Sequence, residues 1–199
     1  MVVELYLTTE PEANAFVVED PFALIVGMLL DQQIPMERAF RGPWELRNRL
    51  AAQSVDFDPC SVASLDPEAL AVVVGAKPAL HRFPRSMAQR ISALAEALCA
   101  NYGGRVSALW EGVDDAFELR QRLEALPGFG IEKASILLAL LAKRFGIQPA
   151  HWREASTPFG EDGVFRSVAD ATSPEALERI RETKAAVKAA ATSRRRAAP

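Results

Sequence analysis

The chain is poor in several residue patterns, and each shortage excludes something. It has two cysteines in 199 residues, Cys60 and Cys99. Neither has a near partner, so no zinc or iron–sulfur ligand spacing exists. They read as small buried apolar residues, with a disulfide as the weaker alternative in a reducing compartment. No apolar run is long enough to cross a bilayer. The start, Met1-Val-Val-Glu-Leu-Tyr, lacks the basic opening and cleavage site of a secretory leader, so a cytoplasmic protein is expected. Basic residues are not in excess: 23 Lys and Arg face 26 Asp and Glu, a net charge of -3. That argues against a chain coated in nucleic acid but leaves room for a local basic face, because the field at a site depends on how charge is arranged. Strand-like alternation is confined to a weak stretch at 2–7, which suits a short strand or an extended arm. The expected class is therefore all-α.

What is present is a succession of helix signals. Asp20-Pro21 pairs an acidic N-cap with proline at the first helical position, ahead of Phe22, Ile25, Val26, Leu29 and Leu30 at helical spacing. A second helix follows from Met36 to Arg49, with a break expected at Gly42-Pro43. Residues 53–66 lack a pattern and read as loop. Asp66-Pro67-Glu68 caps a short helix stopped by Gly75. Phe83-Pro84 precedes an amphipathic helix carrying Met87, Ile91, Leu94 and Leu98 on one stripe. Asp114-Asp115 starts another. Residues 131–145 are apolar enough to be the most buried helix, 147–163 are irregular, and Ser173-Pro174 caps a last helix to about 191. The expected organisation is one helical domain over 1–191 and a disordered basic tail over 192–199 with Arg194-Arg195-Arg196.

The sharpest feature is Leu126-Pro127-Gly128-Phe129-Gly130-Ile131-Glu132-Lys133-Ala134, set between two of these helices. The two glycines allow a tight turn and a close backbone approach to a ligand. The following amides form an open helix N-terminus, which binds anions such as a nucleic-acid phosphate. Lys133, one turn in, adds a charge-assisted contact. Such contacts position DNA without reading its sequence.

This stretch resembles the helix-hairpin-helix motif in its DNA glycosylase version. Leu29-Leu30-Asp31-Gln32-Gln33 resembles the end of an early helix in endonuclease III-like and alkylated-base glycosylases, and the segment from Phe83 to Leu94 resembles the one ahead of their hairpin. The match covers roughly residues 20–146 in the right order. It is most similar to the small bacterial proteins labelled as helix-hairpin-helix base-excision repair proteins. The resemblance implies a glycosylase-like helical fold of two lobes around a cleft. It implies a partner, damaged or mismatched double-stranded DNA in the nucleoid, and a monomer without redox cofactor or cluster. The implied activity is extrusion of a base and hydrolysis of its N-glycosidic bond. Gly128, Phe129, Gly130, Ile131 and Lys133 would grip DNA. Gln33 matches the family's inserting glutamine, although a surface C-cap residue is an equal reading. The carbonyls of Leu126 and Phe129 match those that hold a monovalent cation in relatives.

The family pattern also breaks. Bifunctional relatives carry a lysine nucleophile two residues after the second hairpin glycine. That position is Glu132, and Lys133 is rotated from it by about 100°, so a monofunctional enzyme is expected. The register of the catalytic aspartate falls on Ala150-His151-Trp152, where no carboxylate stands. The candidates come later, in the order Asp162, Glu161, Asp170. Each would stabilise oxocarbenium-like charge and help activate water; the alternative reading, favoured for any single one, is that Gly160-Glu161-Asp162-Gly163 is an exposed acidic turn. Trp152 and Phe159 are favoured over Trp44, Trp110 and Tyr102 as walls for a flipped base. His81 and His151 show no carboxylate partner in sequence. Two rivals remain: a non-catalytic DNA-binding or damage-sensing protein on the same fold, and a protein-interaction module that keeps the hairpin only as structure.

Overall fold

The computed structural model describes residues 5–197, apart from the side chains of 188 and 190–197. It is all-helical. Among the described residues one isolated bridge, Asp115 to Ala150, stands where a strand would be. Most helices begin on the local signals that chemistry favours. Asp20 accepts the amides of Phe22 and Ala23 at 2.7 and 3.1 Å and opens α2, Pro21–Leu30. Asp66 opens α5, Pro67–Gly75, and Asp115 opens α7, Ala116–Glu124, by the same device. Helix α6, Pro84–Tyr102, starts at the expected proline, and Gly103 ends it in the left-handed region at φ 58°.

Helix α2 is the centre of the core, with every residue from Phe22 to Leu30 buried. Each fully enclosed Leu or Ile there contributes roughly 1.5–3 kcal/mol of burial. Helices α1, Pro11–Glu19, and α3, Met36–Ala51, pack against it. The break expected at Gly42-Pro43 does not occur. Pro43 removes one backbone donor, but Gly42 lets α3 close on α2: a Cβ there would lie 2.6 Å from Leu30 Cδ1. That contact holds the helix together across the proline. Helix α1 lies in a stretch where the sequence reading placed no element. Residues 2–4 of the expected strand or arm lie outside the described residues, and Tyr6 makes one backbone bond, to the Ala171 carbonyl at 2.8 Å.

A further helix, α4, Pro59–Ala63, lies within the stretch expected to be loop and is capped by Asp58. It packs on α6 together with α5. That packing corrects the reading of the cysteines. Cys60 on α4 and Cys99 on α6 are joined in a disulfide, with Cα atoms 5.0 Å apart across a sequence separation of 39. Neither is fully buried. No free thiol remains among the described residues.

The second half of the chain builds around α8, Ile131–Phe145, which packs on α7, on the short α9, Trp152–Ala155, and on a 3-10 turn, Val168–Asp170. Its buried face runs from Ala134 through Ala142, and Gly146 closes it at φ 70°. Helix α10, Pro174–Ala197, buries Ala176, Leu177 and Ile180 in its first part. It is helical across 192–197, where the sequence suggested a tail. No single helix is long and apolar enough to cross a membrane.

Candidate functional site

The hairpin between α7 and α8 presents its bend outward. Gly128 sits at φ 85°, a region costly to any residue with a side chain, and a Cβ there would lie 2.5 Å from Leu29 Cδ1. The glycine thus lets the bend lean on the end of α2. Gly130 differs: nothing lies within 4 Å of where its Cβ would be, and Ile131 is 63% exposed. Gly130 is the N-cap of α8 and supplies no side-chain cap, and among the described residues no hydrogen-bond partner is seen for the amides of Ile131, Glu132 and Lys133. The first backbone bond into the helix is Ala134 N–H to the Gly130 carbonyl at 3.0 Å. Open amides at a helix start form an anion-binding surface.

The other hairpin residues are placed differently. The Phe129 side chain is buried, so only its backbone belongs to this surface. The Leu126 carbonyl accepts the Phe129 N–H at 3.0 Å, closing the turn. Lys133 corrects its expected role. Its Nζ turns inward and donates to the carbonyls of Met28 at 2.6 Å and Leu29 at 3.2 Å, which lie in the last turn of α2. It satisfies orphan carbonyls of that helix end instead of reaching outward to a phosphate. Burial pushes its pKa down to about 8, a shift opposed by nearby Asp31 and aided by Arg90.

Just past α2 the chain makes a protruding loop. Gln32 is tied down on all sides: its Nε2 donates to the Leu29 carbonyl, its Oε1 accepts from Arg90, and its carbonyl lies 2.8 Å from His81 Nε2. His81 Nδ1 accepts the Phe83 amide at 3.1 Å, so Nε2 carries the hydrogen that Gln32 receives. Gln33 has no such anchor. It is exposed and sits at φ 57°, strained for a side chain of its kind. His81 fixes the neighbouring loop, which carries Phe83, 44% exposed under the Arg82 guanidinium. His81 thus ties the loop of Phe83 to the Gln32 carbonyl, next in sequence to Gln33.

A cleft of about 800 Å³ opens where α2 ends and α8 begins. Its apolar lining is Met28, Ile136, Phe159 and Val168, and its charged lining is Asp31, Glu132, Lys133, Arg166 and Lys184, the last 3.8 Å from Asp31. Helix α10 crosses this cleft with Thr183, Lys184 and Val187. Phe159, one of the two aromatics the sequence favours, borders this cleft. Trp152, the other, is buried beneath the Arg153 guanidinium and borders a separate cavity of about 310 Å³, together with Asp162 and Asp170. Trp44, Trp110 and Tyr102 pack against the core.

None of the three post-hairpin carboxylates borders the large cleft. Asp162 is exposed and paired with Arg153 at 2.9 Å, which holds its pKa below the usual range. Glu161 faces Arg166 at 3.4 Å. Asp170 is buried and fully engaged, 2.7 Å from Lys143 and accepting the amides of Arg166 and Ser167 at 3.0 and 3.2 Å. His151 does have a carboxylate partner, Asp115, 2.9 Å from its Nδ1. The bridge between 115 and 150 brings the two together across 36 residues, and this contact lowers the Asp115 pKa.

No family model, curated protein or solved structure matches this chain.

The sequence reading missed Asp31, Glu132, Ile136, Arg166 and Lys184 as a group. Asp31 and Glu132 stood inside the quoted motifs, yet nothing in either motif marks them as facing one cavity.

Proposed function

We propose that the protein is a DNA-binding base-excision enzyme, a monofunctional glycosylase that hydrolyses the N-glycosidic bond of a base turned out of the duplex. One observation carries this reading: the uncapped start of α8 stands directly beside a cleft bordered by the carboxylates of Asp31 and Glu132. Phosphate held on the hairpin brings a nucleotide to the mouth of that cleft. The cleft volume lies within the range of small-molecule sites, roughly 300–1,000 Å³, and accommodates a base with its sugar. Gln33, exposed in a left-handed conformation, is the side chain to fill the gap left in the stack, and the exposed Phe83 is a second candidate wedge. Turning the base out costs a few kcal/mol, least for a damaged or mispaired one. The α1–α6 group and the α7–α10 group would then be the two lobes of a glycosylase-like fold.

The inward turn of Lys133 supports monofunctional chemistry. Its amine is bound to two carbonyls. A second reading, DNA binding without catalysis, draws on the ion pairs that occupy Asp162, Glu161 and Asp170. The test is binding followed by turnover. Affinity for a duplex should fall linearly in log K against log salt. Duplexes carrying uracil, hypoxanthine, alkylated purine or oxidised guanine should then yield abasic sites. Binding without abasic sites on the whole panel selects the second reading, and no binding at low salt removes both.

A further inference from the structure

We infer that Asp31 is the carboxylate that acts on the substrate in the cleft; this rests on the glycosylase reading above. Asp31 is the residue immediately after α2, held by its own N–H to the Gly27 carbonyl at 3.0 Å. Its side chain borders the cleft beside Lys133, with 21% of its surface exposed, against 73% for Asp162 and 52% for Glu161. Its satisfaction sets it apart. Asp20, Asp58, Asp66 and Asp115 spend a carboxylate oxygen on helix amides, and Asp170 accepts from Lys143 and two amides. Asp31 accepts no hydrogen bond among the described residues. Its nearest cation is Lys184 Nζ, 3.8 Å from Oδ2, an ion-pair distance too long for a hydrogen bond. A half-enclosed carboxylate with lone pairs unspent, facing a cavity, is placed to receive a ligand. Glu132 also borders the cleft, but it is exposed at the rim.

The step is a hydrolysis that consumes one water. The C1′–N bond breaks and its electron pair leaves with the base nitrogen. Positive charge develops on C1′ and the ring oxygen, and the Asp31 carboxylate stabilises it. Water attacks C1′ and forms the new C–O bond while Asp31 takes its proton. That proton passes, directly or through solvent, to the departing nitrogen. The products are an abasic sugar and the free base.

The assay is single-turnover release of abasic sites from the four lesion duplexes named above, with duplex affinity measured by anisotropy. Asp31→Asn is expected to slow release by at least about 100-fold with affinity within about twofold. Asp162→Asn, outside the cleft, is expected to match the wild type. Should Asp31→Asn melt below assay temperature, Asp31→Glu keeps the charge but displaces it by one methylene; a rate loss of about tenfold or more at retained affinity is expected. Wild-type rates in the folded Asp31 variant overturn the assignment and leave the glycosylase reading standing. Wild-type protein that binds but releases no base from any duplex overturns the reading and the assignment with it.

Discussion

Lys133 offers a test of the site that needs no substrate. Its ammonium is half-buried against the end of α2, and its pKa falls from 10.5 to about 8, chiefly through burial. Below about pH 8 the folded and unfolded chains both carry the proton, and the cost of enclosing the charge is fully present. Above that value the folded protein releases the proton while the unfolded chain keeps it up to 10.5. In that window the unfolded state binds more protons, so stability rises with pH. The gain between about pH 7 and about pH 9.5 comes to roughly 2 kcal/mol, and residual solvent contact brings it toward about 1 kcal/mol. Lys133→Met removes the titrating group and keeps the volume. Urea unfolding at both pH values, for wild type and variant, isolates the effect as a difference of differences. The absence of free thiols among the described residues removes thiol exchange as a competing alkaline process. A variant that gains as much stability as the wild type over this window refutes the enclosed-ammonium account, and with it the claim that Lys133 is turned away from DNA.

Five other variants have expected outcomes. Replacing Cys60 and Cys99 by serine removes a crosslink spanning 39 positions; chain entropy puts the loss at about 4 kcal/mol, a fall in Tm of roughly 10 °C by calorimetry. Gly128→Ala strains a φ of 85° and meets Leu29, costing about 2–4 kcal/mol in urea unfolding. Gly130→Ala meets open space, so its stability should stay within about 1 kcal/mol while duplex affinity falls; unchanged affinity counts against phosphate at this bend. Lys143→Met strands the enclosed Asp170 carboxylate and should cost about 3–5 kcal/mol, whereas Asp162→Asn should leave stability within about 0.5 kcal/mol.

The helices were legible because their causes are local. An aspartate accepts amides two and three residues ahead, so Asp20, Asp66 and Asp115 announce their helices in the sequence. Asp58-Pro59 carries the same signature; it went unread because five residues are too few to show an apolar period. The hairpin was equally legible, since glycines at φ 85° and at an uncapped helix start reflect short-range backbone geometry. Lys133 shows where that legibility stops. Its position one turn into α8 was clear, but its direction depends on α2, about a hundred residues away in sequence, whose final carbonyls need donors.

The amino-acid sequence alone determined an all-helical chain, where most of its helices start, and a glycine bend between two of them. Those properties depend on residues within a few positions of one another. Tertiary packing decided the rest. It joined Cys60 to Cys99, engaged Asp170 with Lys143, and gathered Asp31, Glu132, Phe159, Arg166 and Lys184 around one cleft. Which carboxylate is spent on the protein and which faces a cavity depends on partners that only the folded chain brings within reach.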